Sequence, residues 1–117
     1  QRAVETAKNA DVVLMFLRPY RTPPNPKAST VKPLDIPAKQ VELLKAVAAE
    51  NKNIVVVLSN GSVVSVAPWA GNAKGILESW LLGQAGGPAL ADVIFGKVSP
   101  SGKLAQTIPM DINEIRA

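Results

Sequence analysis

The sequence predicts an α/β fold: a layered (sandwich), mostly parallel sheet with helices on both faces. Three observations carry this expectation. Two short runs, DVVLMFL (11–17) and NIVVVLS (53–59), are apolar throughout their interiors, as strands covered on both faces are. Between them, AKQVELLKAVAAENK (38–52) repeats its apolar residues at helical spacing. Strand, helix and strand in that order imply parallel pairing through a right-handed crossover.

Each element has its own local signal. RAVETAKNA (2–10) reads as a helix end, with Ala3, Val4 and Ala7 on one face and Asn9 as a stop. In the 38–52 helix, Val41, Leu44, Val47 and Ala48 share a face, Glu42 and Lys45 point to water, and Pro37 precedes the first turn. The 53–59 strand is rich in β-branched residues, and NGS (60–62) turns the chain. VVSVAPW (63–69) predicts a short extended piece broken by Pro68, and KGILESWL (74–81) a third strand despite mixed propensities. GQAGGPALADVIFG (83–96) reads as a glycine-rich loop entering a helix, with Pro88 near the first turn and Gly96 as the stop. KVSPSGKLAQTIP (97–109) predicts a Pro-Ser-Gly turn and then a strand near Lys103–Ile108.

Composition bounds the chemistry. A chain of 117 residues suggests one domain over 1–117, and 47% hydrophobic residues suffice to pack a core. There is no cysteine, which excludes disulfides and thiolate catalysis, and no histidine, which excludes an imidazole base, a Ser-His-Asp triad and a His-ligated metal. Neither a metal nor a cofactor is expected. No apolar run approaches the roughly 20 residues that cross a bilayer, so no membrane partner is expected, and no secretory signal is visible at Gln1. The net charge is +4, and Arg18, Arg21, Lys27 and Lys32 alone supply four positive charges. They fall on one irregular, basic, Pro-rich loop (18–33) and form no basic face, so nucleic-acid binding is not expected.

The order of motifs resembles the C-terminal α/β sandwich domain of family 3 glycoside hydrolases, the β-glucosidase-like enzymes. AKNADVVLMFL resembles that family's strand with its preceding helix. LDIPAKQVELLKAVAAENKNIVVVLSNGSVV resembles its Leu-x-Leu-Pro entry, helix, strand and Gly-Ser turn. PWAGNAKGILESWLLGQAGGPALADVIFGKVSPSGKLAQTIP resembles its Pro-Trp segment, its Gly-Gln-Glu-Gly-Gly loop and its Pro-Ser-Gly-Lys-Leu ending. The resemblance implies a flavodoxin-like sandwich, truncated, and a division of labour. A separate barrel domain supplies the nucleophile, while the sandwich completes the sugar site and often brings the acid/base glutamate. Members also carry further strand–helix units before this segment. Without them an apolar edge or face is left open, and a homo-oligomer is expected.

The family's acid/base loop reads Ser-Glu-Gly-x-Asp-Arg-x-x-Leu-x-Leu-Pro. Here Leu34, Asp35, Ile36 and Pro37 keep its ending, but Thr30 and Val31 stand for Asp-Arg and Lys27 stands near the glutamate. A lysine ammonium does not protonate a glycosidic oxygen as a carboxylic acid does. No catalytic residue is therefore assigned in this chain. The expectation is a fragment without hydrolytic activity alone, the alternatives being a sugar-binding module or a structural, self-associating domain.

Candidate sugar contacts follow from the same resemblance. Asn60 and Ser62 in SNGS (59–62) end a parallel strand, where ligands of open α/β sheets gather, although a plain turn explains them equally. Gln84 and Gly86 lie in GQAGG (83–87) at a helix start, where backbone N–H groups can meet a hydroxyl. The family's acid after Gln84 is Ala85 here, and a glycine turn needed for close packing is the plainer reading. Trp69, beside Pro68, can stack on a sugar face, whereas Trp80 sits in an apolar segment and is expected in the core. Glu78 and Asp92 are expected to be solvated or locally paired.

Codon degeneracy offers an origin for the loop. Pro24 to Lys32 can be written CCG AAT CCG AAG GCT TCG ACC GTG AAG. Read two bases later, those letters give Glu-Ser-Glu-Gly-Phe-Asp-Arg-Glu, the missing motif. A lost base in Glu-Asp-Pro-Ser codons likewise gives the Glu114–Ala117 tail. The rival is an ordinary Pro-rich surface loop. Sequencing the encoding DNA checks this: residues 18–33 and 115–117 are expected to yield the family motif in a shifted frame, and codons that yield none exclude that origin.

Overall fold

The computed structural model describes residues 2–19 and 34–111. The basic loop and tail readings at 20–33 and 112–117 lie outside the described residues. The described elements run α1 (Arg2–Lys8), β1 (Val13–Leu17), α2 (Ala38–Glu50), β2 (Ile54–Leu58), a 3-10 turn (Ala70–Asn72), β3 (Gly75–Glu78) and α3 (Gly86–Ile94). The three strands form one parallel sheet in the order β1-β2-β3. Leu14 pairs with Val55, and Val56 with Ile76, so a single register ties all three strands together.

Strand pleating sends Val13, Met15, Leu17, Ile54, Val56 and Leu58 to one face. That face meets α2 through Leu44, Val47 and Ala48, with Val64 and Trp69 closing the same core. β2 lies at the centre, and Ile54, Val56, Val57 and Leu58 are fully buried. The predicted helical face of α2 is therefore the observed one, with Val41 at its margin.

Polar side chains fix the joints. Asn51, which ends α2, donates from Nδ2 to the carbonyls of Ala7 and Ala10, 2.8 Å each, while its Oδ1 accepts from the Asn53 N–H at 2.8 Å. Asn53 Nδ2 donates to the Asp11 carbonyl at 3.1 Å. Two asparagines at the α2–β2 turn thus satisfy carbonyls at the α1–β1 turn, which seats α1 beside α2.

Three details differ from the sequence reading. Among the described residues, no strand forms near Lys103–Ile108; the chain there is irregular and Leu104 is exposed. A strand exists only where an edge accepts it, and propensity does not reveal whether one does. The third strand ends at Glu78, because Ser79 turns its N–H and its hydroxyl to the Leu58 carbonyl and Trp80 then adopts φ 54. The 63–69 segment pairs with no strand, although Ser65 N–H donates to the Leu34 carbonyl at 2.7 Å. α3 has no buried residue, so the helical cover is heaviest on the α1–α2 face. Among the described residues, no helix is long and apolar enough to cross a membrane.

Candidate functional site

Parallel strands bring their carboxyl ends to one side, and in this chain that side holds Arg18 after β1, Ser59 to Ser62 after β2, and Ser79 to Trp80 after β3. Ser59 Oγ donates to the Trp80 carbonyl at 3.3 Å, which links two strand ends. Asn60 is 1% exposed and its Nδ2 donates to the Ser62 carbonyl at 2.7 Å, while its Oδ1 is buried with no hydrogen-bond partner. A buried acceptor without a donor costs about 1–3 kcal/mol, so it marks a place where a donor is missing.

Trp80 carries the other strain in this region. Its φ of 54 lies in the left-handed region, which disfavours bulky side chains by about 1–3 kcal/mol. The conformation is held by Glu78, whose Oε1 accepts the Trp80 N–H at 2.9 Å, and by Ser59 at its carbonyl. Glu78 is the only carboxylate in or directly after the ends of the three strands among the described residues.

The sequence-selected residues separate. Asn60 and Ser62 share this strand-end turn. Trp69 is 1% exposed and donates from Nε1 to the Ser65 carbonyl at 3.1 Å, so its indole is core and offers no open face to a sugar. Trp80, expected in the core, is half-buried at the strand end and is the more accessible of the two, because the chain turns out of the sheet one residue before it. Gln84 is exposed and lies in a turn closed by Gly86 N–H to the Gly83 carbonyl at 3.0 Å. A Cβ on Gly86 would stand 2.6 Å from Leu82 Cβ, so its bare backbone serves packing against Leu82. Asp92 pairs loosely with Lys97 at 3.6 Å.

Sequence reading missed a second concavity. A groove of about 260 Å³ runs between α2 and the 65–69 segment, floored by Ile36 and Trp69 and rimmed by Asp35, Glu42 and Lys45. Its lining is mainly apolar, and no local sequence signal marked it, because Asp35 precedes the helix that carries Glu42 and Lys45. Among the described residues, no three His, Cys, Asp or Glu side chains converge as metal ligands would.

Residues 1–117 match the Glycosyl hydrolase family 3 C-terminal domain. The chain belongs to this family. It is 70% identical over 117 residues to an exo-α-(1→6)-L-arabinopyranosidase of Bifidobacterium breve, covering 96% of this chain and 15% of that protein. A Bifidobacterium longum exo-α-(1→6)-L-arabinopyranosidase is 71% identical over 112 residues, again covering 96% and 15%. The crystal structure of a family 3 β-glucosidase from Bifidobacterium adolescentis superposes with a TM-score of 0.83 at 83% identity, covering 97% of this chain and 17% of that one. The chain thus spans about 15% of the length of the curated relatives it matches, and it is a fragment of the family 3 C-terminal domain.

The two helical glycines of the GQAGG loop are expected to respond oppositely. Gly86→Ala drives a methyl into Leu82 and should destabilise the chain by about 1–3 kcal/mol. Gly87→Ala meets open space and should stabilise α3 by up to about 1 kcal/mol. Urea titrations of both variants check the pair.

Proposed function

We propose that this chain is part of the sugar-handling domain of a family 3 exo-glycosidase acting on an α-L-arabinopyranoside or a β-glucoside, and that alone it hydrolyses neither. One observation carries the reading: the strand ends present amides, hydroxyls and backbone groups, with Glu78 as their single carboxylate among the described residues, already bonded to the Trp80 N–H. Such groups suit a neutral polyhydroxylated ligand. Retaining glycoside hydrolysis needs two carboxyl groups roughly 5 Å apart, one as nucleophile and one as acid/base. The sequence supports the same conclusion, since Lys27, Thr30 and Val31 stand where the family's loop has its acidic motif. The substrate classes are those in the names of the 70%-identical arabinopyranosidase and the 83%-identical β-glucosidase.

Pure protein is expected to release no nitrophenol above buffer from 4-nitrophenyl β-D-glucopyranoside or α-L-arabinopyranoside. Turnover that a single substitution in this chain abolishes would overturn the reading.

The unpartnered Asn60 Oδ1 favours a second reading, in which the strand ends hold a sugar without cleaving it. A ligand hydroxyl would supply the missing donor once the cover over Asn60 opens, and Ser62, whose carbonyl accepts from Asn60 Nδ2, lies beside it. Saturation-transfer NMR with glucose and with L-arabinose is expected to show weak binding, with a dissociation constant on the order of millimolar. Loss of that signal in Asn60→Ala, with helical content retained, locates it; an unchanged signal in the variant excludes Asn60.

A further inference from the structure

Among the described residues the backbone enters the left-handed region at two places, Gly96 with φ 77 and Trp80 with φ 54. Gly96 follows α3, and a glycine takes that conformation at no steric cost. Trp80 is the opposite case, since a large side chain on such a backbone is disfavoured. A glycine would turn the chain out of the sheet at this position without strain. The core does not account for the tryptophan either: Trp80 is half-buried and stands outside the hydrophobic cluster that Trp69 joins.

Side chains hold this conformation by gripping the main chain. Glu78 Oε1 accepts the Trp80 N–H at 2.9 Å, and Ser59 Oγ donates to the Trp80 carbonyl at 3.3 Å. Ser79, between Glu78 and Trp80, places its N–H and its hydroxyl on the Leu58 carbonyl. These contacts fix the peptide groups on either side of Trp80, and none of them engages the indole. The donors of the two indoles then differ. Trp69 Nε1 donates to the Ser65 carbonyl at 3.1 Å. Trp80 Nε1 has no hydrogen-bond partner among the described residues and is not sealed from water.

An aromatic ring held in place, with an open N–H at its edge, suits a ligand that has an apolar face and a polar rim. A pyranose has both, in its axial C–H groups and the hydroxyls around the ring. We propose that Trp80 is the stacking platform for a neutral pyranose at the strand ends, and that Glu78 is its positioning residue. Glu78 acts through the backbone. By accepting the Trp80 N–H it populates the left-handed conformation, and that conformation sets the direction of the indole. This rests on the reading in which the strand ends hold a sugar, and it adds the surface against which the ring lies. Without the clamp a smaller fraction of chains has the indole in place, and the apparent dissociation constant rises by the inverse of that fraction. A glutamine keeps a side-chain oxygen that accepts the same N–H.

The indole N–H resonances of isotope-labelled chain, assigned with Trp80→Phe, read the two tryptophans separately. Glucose is expected to shift the Trp80 resonance and leave that of Trp69 in place. Glu78→Ala should weaken glucose binding about tenfold, and Glu78→Gln should stay within about twofold of the unaltered chain. An unmoved Trp69 resonance in each variant shows that the core is intact. Ser59→Ala frees the Trp80 carbonyl, should weaken binding in the same direction, and decides the matter if Glu78→Ala does not fold. Full affinity in the folded variant, or glucose shifts that spare Trp80, overturns the proposal and leaves sugar binding at the strand ends standing. No shift of any resonance, at about ten times the millimolar dissociation constant expected, overturns both.

Discussion

The burial of β2 between two parallel partners is the constraint on which the other elements depend. A central strand has hydrogen-bonding neighbours on both sides and cover on its faces, and here Ile54, Val56, Val57 and Leu58 lose all contact with water. Burying each such side chain is worth about 1.5–3 kcal/mol, which makes this strand the densest source of stability in the chain. α2 owes its position to it, since an isolated helix of 13 residues is marginal in water and gains its order from the apolar face it docks. Leu44 of α2 and Trp69 of the segment after β2 complete that core.

Around this apolar centre, side-chain amides do the joining. Asn51 and Asn53 tie the start of β1 to the end of α2, and Gln40 bonds both main-chain groups of Arg18. Each of these contacts replaces water at a carbonyl or N–H that would otherwise be stranded near a helix or strand end. The strand ends are treated differently. There Asn60 keeps an acceptor without a donor and Trp80 is held in a disfavoured backbone region. Stored strain and unmet polarity after β2 and β3 contrast with the satisfied main-chain groups of Ala7, Ala10, Asp11 and Arg18.

Much of this was legible in the chain itself. β1, β2 and α2 were readable because continuous apolar runs and a 3.6-residue period are local signals that burial on a sheet enforces. The family was readable from ordered motifs. The contacts that set geometry were not, because Gln40 reaches a residue 22 positions away and Asn51 one 44 away, and nothing local distinguishes them from surface amides. The strand expected near 103–108 pairs with neither edge of the sheet among the described residues, and nothing local in its sequence distinguishes it from a segment that does. The two tryptophans differ from the sequence reading. An apolar neighbourhood suggested burial for Trp80, but one turn out of the sheet after Glu78 sufficed to leave it half-buried, while Trp69, read as able to stack on a sugar, folded into the core beside α2.

That division of the two indoles has a practical side. Trp69 is sealed in the core and Trp80 stands half in water at the rim. Their emission should therefore report different events. The blue-shifted component follows the integrity of the whole sheet, and the red-shifted one follows only what happens at the strand ends. The chain thus carries two spectroscopic probes of its own, one for the integrity of the sheet and one for the surroundings of the strand ends, separable without any label.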